Sequence, residues 1–123
     1  MTQFKGTSEN YDEASGMNAV CKTGTDSSQA VTVQSRRGRI TSSTTTLAAD
    51  TVEAITVTCK YSKTTSTILA NVRGGGAAVG ALSVNVDPSS ANGAFVVRVR
   101  NNTSATAANA AYVVDFLIIN DND

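Results

Sequence analysis

The side chains with chemical reach are few in this sequence, and histidine is absent from it. Without histidine the commonest general base, the commonest zinc ligand and the usual activator of a serine or cysteine nucleophile are gone. A carboxylate pair at fixed separation could still serve a glycosidase, and Glu9, Asp12 and Glu13 cluster together. They lie in a polar, irregular stretch with no scaffold to set that separation. Cys21 and Cys59 are far apart, in no metal-ligand spacing, and both read as reduced thiols. Cys59 alternates with Ile55 and Val57, as a small buried hydrophobe would. No stretch has the regularly spaced Asp, Asn and Gly of a calcium loop. The expectation is a protein that is not an enzyme, with no catalytic residue, cofactor or metal.

Two glycine-centred stretches remain. RGGGAAVG, at residues 73–80, superficially resembles a phosphate-cradling loop. It lacks the Gly-Lys-Ser/Thr ending and opens no helix, so it reads as a flexible connection. Arg36, Arg37 and Arg39 flank Gly38 and could meet phosphate, a carboxylate on a neighbouring chain, or water in a solvated turn. The formal net charge is zero and the sequence pI about 6.2, so no global basic field draws the chain to nucleic acid. The start carries no apolar run of signal-peptide length, and nothing later approaches the roughly 20 apolar residues that span a membrane. A protein made in a cytoplasm, with no membrane partner, is expected.

The elements that would position these residues are strands. Residues 1–28 have no sustained period and only Phe4 and Tyr11 as aromatic anchors, which suggests an extended N-terminal arm. At about 3.3–3.6 Å per residue such an arm reaches on the order of 90 Å. From residue 29 to 123 short runs rich in Val, Ile and Thr alternate with clusters of Gly, Asn, Asp and Ser. Seven strands are expected, over residues 30–34, 39–46, 53–61, 67–73, 80–87, 93–101 and 110–119. Ile55, Val57, Cys59 and Tyr61 share one face. Leu82, Val84 and Val86 share another, as do Phe95, Val97 and Val99. Leu69 is offset from Ile68 and Val72, which leaves the inner face of that run open. Pro88 and Asn92-Gly93 mark a hairpin.

The last run is apolar on both faces: Tyr112, Val114, Phe116 and Ile118 on one, Val113, Leu117 and Ile119 with Asp115 on the other. Two apolar faces need two covers, either two layers of the same domain or one layer plus a neighbouring subunit, and the second implies an oligomer. Asp115 then needs a partner, for which Arg98 or Arg100 is a candidate. The absence of Trp and the 5% aromatic content make the core thin, so burial between chains would add stability. The fold expected is all-β: an antiparallel β-sandwich, jelly-roll-like, with the arm ahead of it. Candidate protein contacts are Phe4, Tyr11, Arg36, Arg37, Arg39, Val113, Leu117 and Ile119.

Gly38, Ile40, Thr41, residues 47–49 (Leu-Ala-Ala), Gly93, Phe95, Val97, Val99, Asn101, Thr103 and the closing Asp-Phe-Leu-Ile-Ile at 115–119 fall in a familiar order. In this order, over about 80 residues, the chain resembles small tailed-phage virion structural proteins. Asp115 stands where an Asn is usual before the Phe, and Asn102 loosens the register. The resemblance implies a jelly-roll-like domain, often trimeric, in a head decoration or cement protein or in a tail fibre that binds a receptor or glycan. The arm favours decoration. The partners implied are other copies of the chain, in a homotrimer, and the major capsid protein or another virion protein. The location implied is the virion.

Overall fold

A computed structural model describes residues 22–25, 29–88 and 91–120. Eight strands are present among the described residues: β1 (Lys22–Thr25), β2 (Ala30–Thr32), β3 (Arg37–Thr41), β4 (Val52–Thr58), β5 (Thr67–Gly74), β6 (Leu82–Pro88), β7 (Ala94–Asn101) and β8 (Tyr112–Ile119). One 3-10 turn, Gly76–Ala78, lies between β5 and β6. The strands form two four-stranded sheets, ordered β1-β3-β8-β5 and β2-β4-β7-β6, and pack as a β-sandwich.

The core follows directly from the period-2 runs. β8 turns Tyr112, Val114, Phe116 and Ile118 inward, and β7 turns Phe95, Val97 and Val99 inward; all are buried. Ile40, Ile55 and Val57 join them from β3 and β4. Phe95 and Phe116 meet edge to face across the two sheets, with ring centroids 5.2 Å apart, a favourable aromatic geometry. The Phe116 ring lies over Gly38, its cross-strand partner. A Cβ at Gly38 would stand 2.3 Å from two ring carbons, so glycine is required there by the ring's position.

Three expectations need correction. The sheets are mixed, since β1 pairs with β3 and β2 with β4 in parallel. The chain passes from the first sheet to the second twice in succession, β1 to β2 and then β3 to β4. The two passes run side by side in one direction. Strand β1, the eighth, has no apolar alternation in its sequence KTGT, so only edge pairing identifies it, and it falls within the segment read as an arm. The run expected over 39–46 is strand only to Thr41. Beyond it the Ser42 hydroxyl accepts from Thr44 N at 2.9 Å and donates to Thr44 O, a local side-chain bond that competes with the ladder.

β6 and β7 form the expected antiparallel pair. Pro88 closes β6, an edge strand, where a missing donor is tolerated. β5 and β6 lie against each other where the two sheets meet.

Candidate functional site

Because β8 lies between β3 and β5, the outward residues of these three strands form one surface. The cross-strand register sets Leu117 between Arg37 and Leu69, Asp115 between Arg39 and Asn71, and Val113 between Thr41 and Arg73, with Ile119 opposite Thr67. Leu69 is 54% and Ile119 43% exposed, while Val113 and Leu117 are half-buried. The offset of Leu69 in sequence has its explanation here: Ile68, Ala70 and Val72 pack toward the core, and Leu69 points out.

Asp115 is the electrostatic centre of this face. Arg39 Nε donates to its Oδ1 at 2.7 Å and Arg73 Nε to its Oδ2 at 3.3 Å. Burial pushes the Asp115 carboxyl up, but hydrogen bonds and charge from the two arginines outweigh that and hold it below its ordinary 3.8. The expected partners Arg98 and Arg100 are in the other sheet, where Arg98 pairs with Asp87 and Arg100 with Asp50. Local pattern had placed Asp115 on the right face; only the strand order could name its neighbours.

The three clustered arginines separate. Arg37 and Arg39 are exposed on the outer face of the first sheet. Arg36 is only 6% exposed, its guanidinium 4.7 Å from the centre of the Tyr61 ring and its carbonyl accepting from Ile118 N at 2.7 Å. It anchors the turn instead of presenting charge outward. Val113, Leu117 and Ile119 are brought together with Arg37 and Arg39, whereas Phe4 and Tyr11 lie outside the described residues.

A second polar cluster was not foreseen from sequence. Glu53 is 7% exposed, its Oε1 accepts from the Tyr112 hydroxyl, and its Oε2 accepts from Thr44 Oγ1 and, at 3.4 Å, from Gln29 Nε2. These donors come from β8, the loop before β4 and the residue preceding β2, so the carboxylate ties both sheets together at one end. A buried carboxylate is tolerable when donors surround it. The period-2 pattern offers no signal for this contact, since Glu53 simply opens an apolar strand.

Asn101 and the glycines after Arg73 also have structural work. Asn101 is fully buried; its Nδ2 donates to Leu47 O at 3.1 Å and Thr106 O at 2.9 Å, and its Oδ1 accepts from Thr103 N and Oγ1. Leu47 in turn bridges Ala108. Gly74, Gly75 and Gly76 all have positive φ, and Ala77 N and Gly75 O are tied to Asn109. RGGG is therefore a hydrogen-bonded corner, not the flexible connection expected. Cys59 is buried with Sγ donating to Ser35 O. Among the described residues, no group of three His, Cys, Asp or Glu side chains could hold a metal.

No family model matches the chain, and neither does any curated protein or solved structure.

Proposed function

We propose that the chain is a virion structural protein, a capsid decoration or cement subunit that stabilises a shell by packing against its own copies and against shell protein. The observation that carries this reading is the outer face of the first sheet. There Leu69 and Ile119, 54% and 43% exposed, adjoin Leu117, with Val113 beyond Asp115, on a β-sheet whose other side faces the core. A contiguous apolar group on a flat sheet is the kind of surface that association covers. The buried polar clusters at Glu53 and Asn101 serve to fix loops and join sheets, which suits a scaffold that works by shape.

The strand pairing supports the jelly-roll form. β3 pairs with β8, β4 pairs with β7, and β5 abuts β6, the nesting produced when one long hairpin is rolled into two sheets. Subunits meet as a homotrimer through the first sheet, and the segment ahead of β1 is an arm that adds contacts.

Light scattering on the full chain tests the assembly. A mass of about 38 kDa, three times 12.7 kDa, is expected, and particles stripped of the protein should fail under osmotic or thermal stress. Stripped particles that survive as well as intact ones would sink the reading. Adsorption of the isolated protein to a cell or glycan would move it to a fibre-type binding domain.

A further inference from the structure

At the end of the sandwich where Glu53 ties the sheets, a hydroxyl and a carboxamide meet on one carboxylate oxygen. Glu53 Oε2 accepts from Thr44 Oγ1 and, at 3.4 Å, from Gln29 Nε2. We propose that Thr44 and Gln29 join in an ester bond, formed within the folded chain with Glu53 as the base and ammonia as the other product. The inference is independent of the assembly reading above and goes beyond it.

Three observations lead to it. The first is how the acid is held. Glu53 is buried, and the hydroxyl of the fully buried Tyr112 donates to its Oε1, which leaves Oε2 to Thr44 and Gln29. A carboxylate within hydrogen-bond reach of a hydroxyl meets the geometric requirement of a general base. The second is the backbone at Gln29, whose φ is +64°. That is the left-handed region, which a glutamine enters at a cost. Thr56 N donates to Gln29 O at 3.0 Å and holds the turn, and outliers maintained in this way gather at reactive sites. The third is the sharing itself. One oxygen touches both the atom that must lose a proton and the atom that must gain it, so the transfer needs little movement. Thr44 is fixed as well, because the Ser42 hydroxyl bonds both its N–H and its carbonyl.

The step balances without an outside reactant. Thr44 Oγ1 attacks Gln29 Cδ while its proton passes to Glu53 Oε2. The Cδ–Nε2 bond then breaks, and the same proton moves from Oε2 to the departing nitrogen, which leaves as ammonia. Glu53 ends as it began. The reaction runs once per chain and makes a cross-link, not a turnover enzyme. The bond closes a loop over residues 29–44, which contains β2 in one sheet and β3 in the other. Like a disulfide, it restricts the unfolded chain.

Mass spectrometry of the full chain tests it. The intact mass should fall below that of the sequence by about 17 Da, one ammonia. Trypsin cuts after Lys22, Arg36, Arg39 and Lys60, so the peptides 23–36 and 40–60 should appear joined, and hydroxylamine should part them. The two peptides recovered apart and at full mass overturn the inference. So does the same loss carried by the peptide 74–98, where Asn92-Gly93 can close to a succinimide. Thr44→Ser should keep the link and Thr44→Val should abolish it; a linked Thr44→Val chain overturns the assignment. After refolding, Glu53→Gln should form the link at least about 100-fold more slowly than the unsubstituted chain, and equal rates overturn the role of Glu53. Where Glu53→Gln does not fold, Thr44→Val carries the test, since it removes only the hydroxyl. A failed link leaves the light-scattering result on assembly untouched.

Discussion

On the outer side of the second sheet each of the two arginines of β7 has an acid of its own. On the outer side of the first, Arg39 and Arg73 share Asp115 beside Leu69, Val113, Leu117 and Ile119. Both sheets are built from the same period-2 logic and share one core. The difference lies in what the outward residues must meet. Paired charges with Thr56, Asn85 and Ser83 beside them are content in water, whereas a group of aliphatic side chains around a half-buried carboxylate gains when water is removed. The molecule is thus two-sided, with one sheet closing the core and the other closing it while presenting a second surface.

The strongest way to break that contrast is to place a charge on each face in turn. Leu69→Asp should weaken self-association by about 2 kcal/mol or more, some thirtyfold in dissociation constant, as expected for a central interface residue. Val52→Asp, at an equally exposed position on the second sheet, should change it by less than about 0.5 kcal/mol. Equilibrium sedimentation measures both. Equal responses would mean that the two faces are not functionally different.

A second substitution asks whether the first sheet's outer surface depends on its inner packing. Gly38→Ala sets a methyl 2.3 Å from the Phe116 ring and 2.9 Å from Val33 Cγ1. Overpacking of this kind costs about 1–3 kcal/mol, and at roughly 4–8 °C per kcal/mol the melting temperature should fall visibly. Gly93→Ala, where nothing lies within 4 Å, carries only the strain of its positive φ and should cost about 1 kcal/mol. Calorimetry that ranked Gly93 above Gly38 would overturn the account of Phe116.

How much of this was legible in the sequence depends on the distance over which each feature is decided. Inner faces of β4, β6, β7 and β8 were readable because alternation is local. So was the double apolar character of β8. Strand β1 was not, because Lys22–Thr25 carries no hydrophobic pattern and owes its conformation to β3 beside it. The partner of Asp115 was misjudged for the same reason: its neighbours are set by β8 lying between β3 and β5, and strand order is a property of the whole fold. Among the arginines, nothing in the spacing of 36, 37 and 39 announced that Arg36 would turn inward onto Tyr61. Glu53 was invisible because its donors come from residues 29, 44 and 112.

A smaller effect sharpens the electrostatic half of the comparison. The carboxyl of Asp115 has its folded-state pKa lowered from 3.8. Its ionised form therefore contributes stability that is fully present above pH 3.8 and is lost as pH falls through the lower folded value. Asp115→Asn should remove that acid-limb contribution and cost about 1 kcal/mol near neutrality, less at high salt, because the bridge is partly exposed. The same change removes the carboxylate that Arg39 and Arg73 share. If association rests on the apolar side chains of this face and not on its carboxylate, the variant should associate as well as the unsubstituted chain while melting lower. Thermal scans across pH 2–5 and sedimentation at pH 7 separate the two consequences.

The least effect is expected on the opposite face. Arg98 and Asp87 form a salt bridge in which each side chain is over 40% exposed, so solvent screens most of the attraction. Arg98→Ala should cost below about 1 kcal/mol, shrinking further as ionic strength approaches 1 M and the screening length falls to about 3 Å. Self-association should not change. A loss of stability that persisted in high salt would trace to the arginine's alkyl chain packing on β4 and β6, and would make the second face more than a solvated surface. A loss of association would place that face, too, at a contact between chains, and the two-sided description would have to give way to a subunit gripped from both sides.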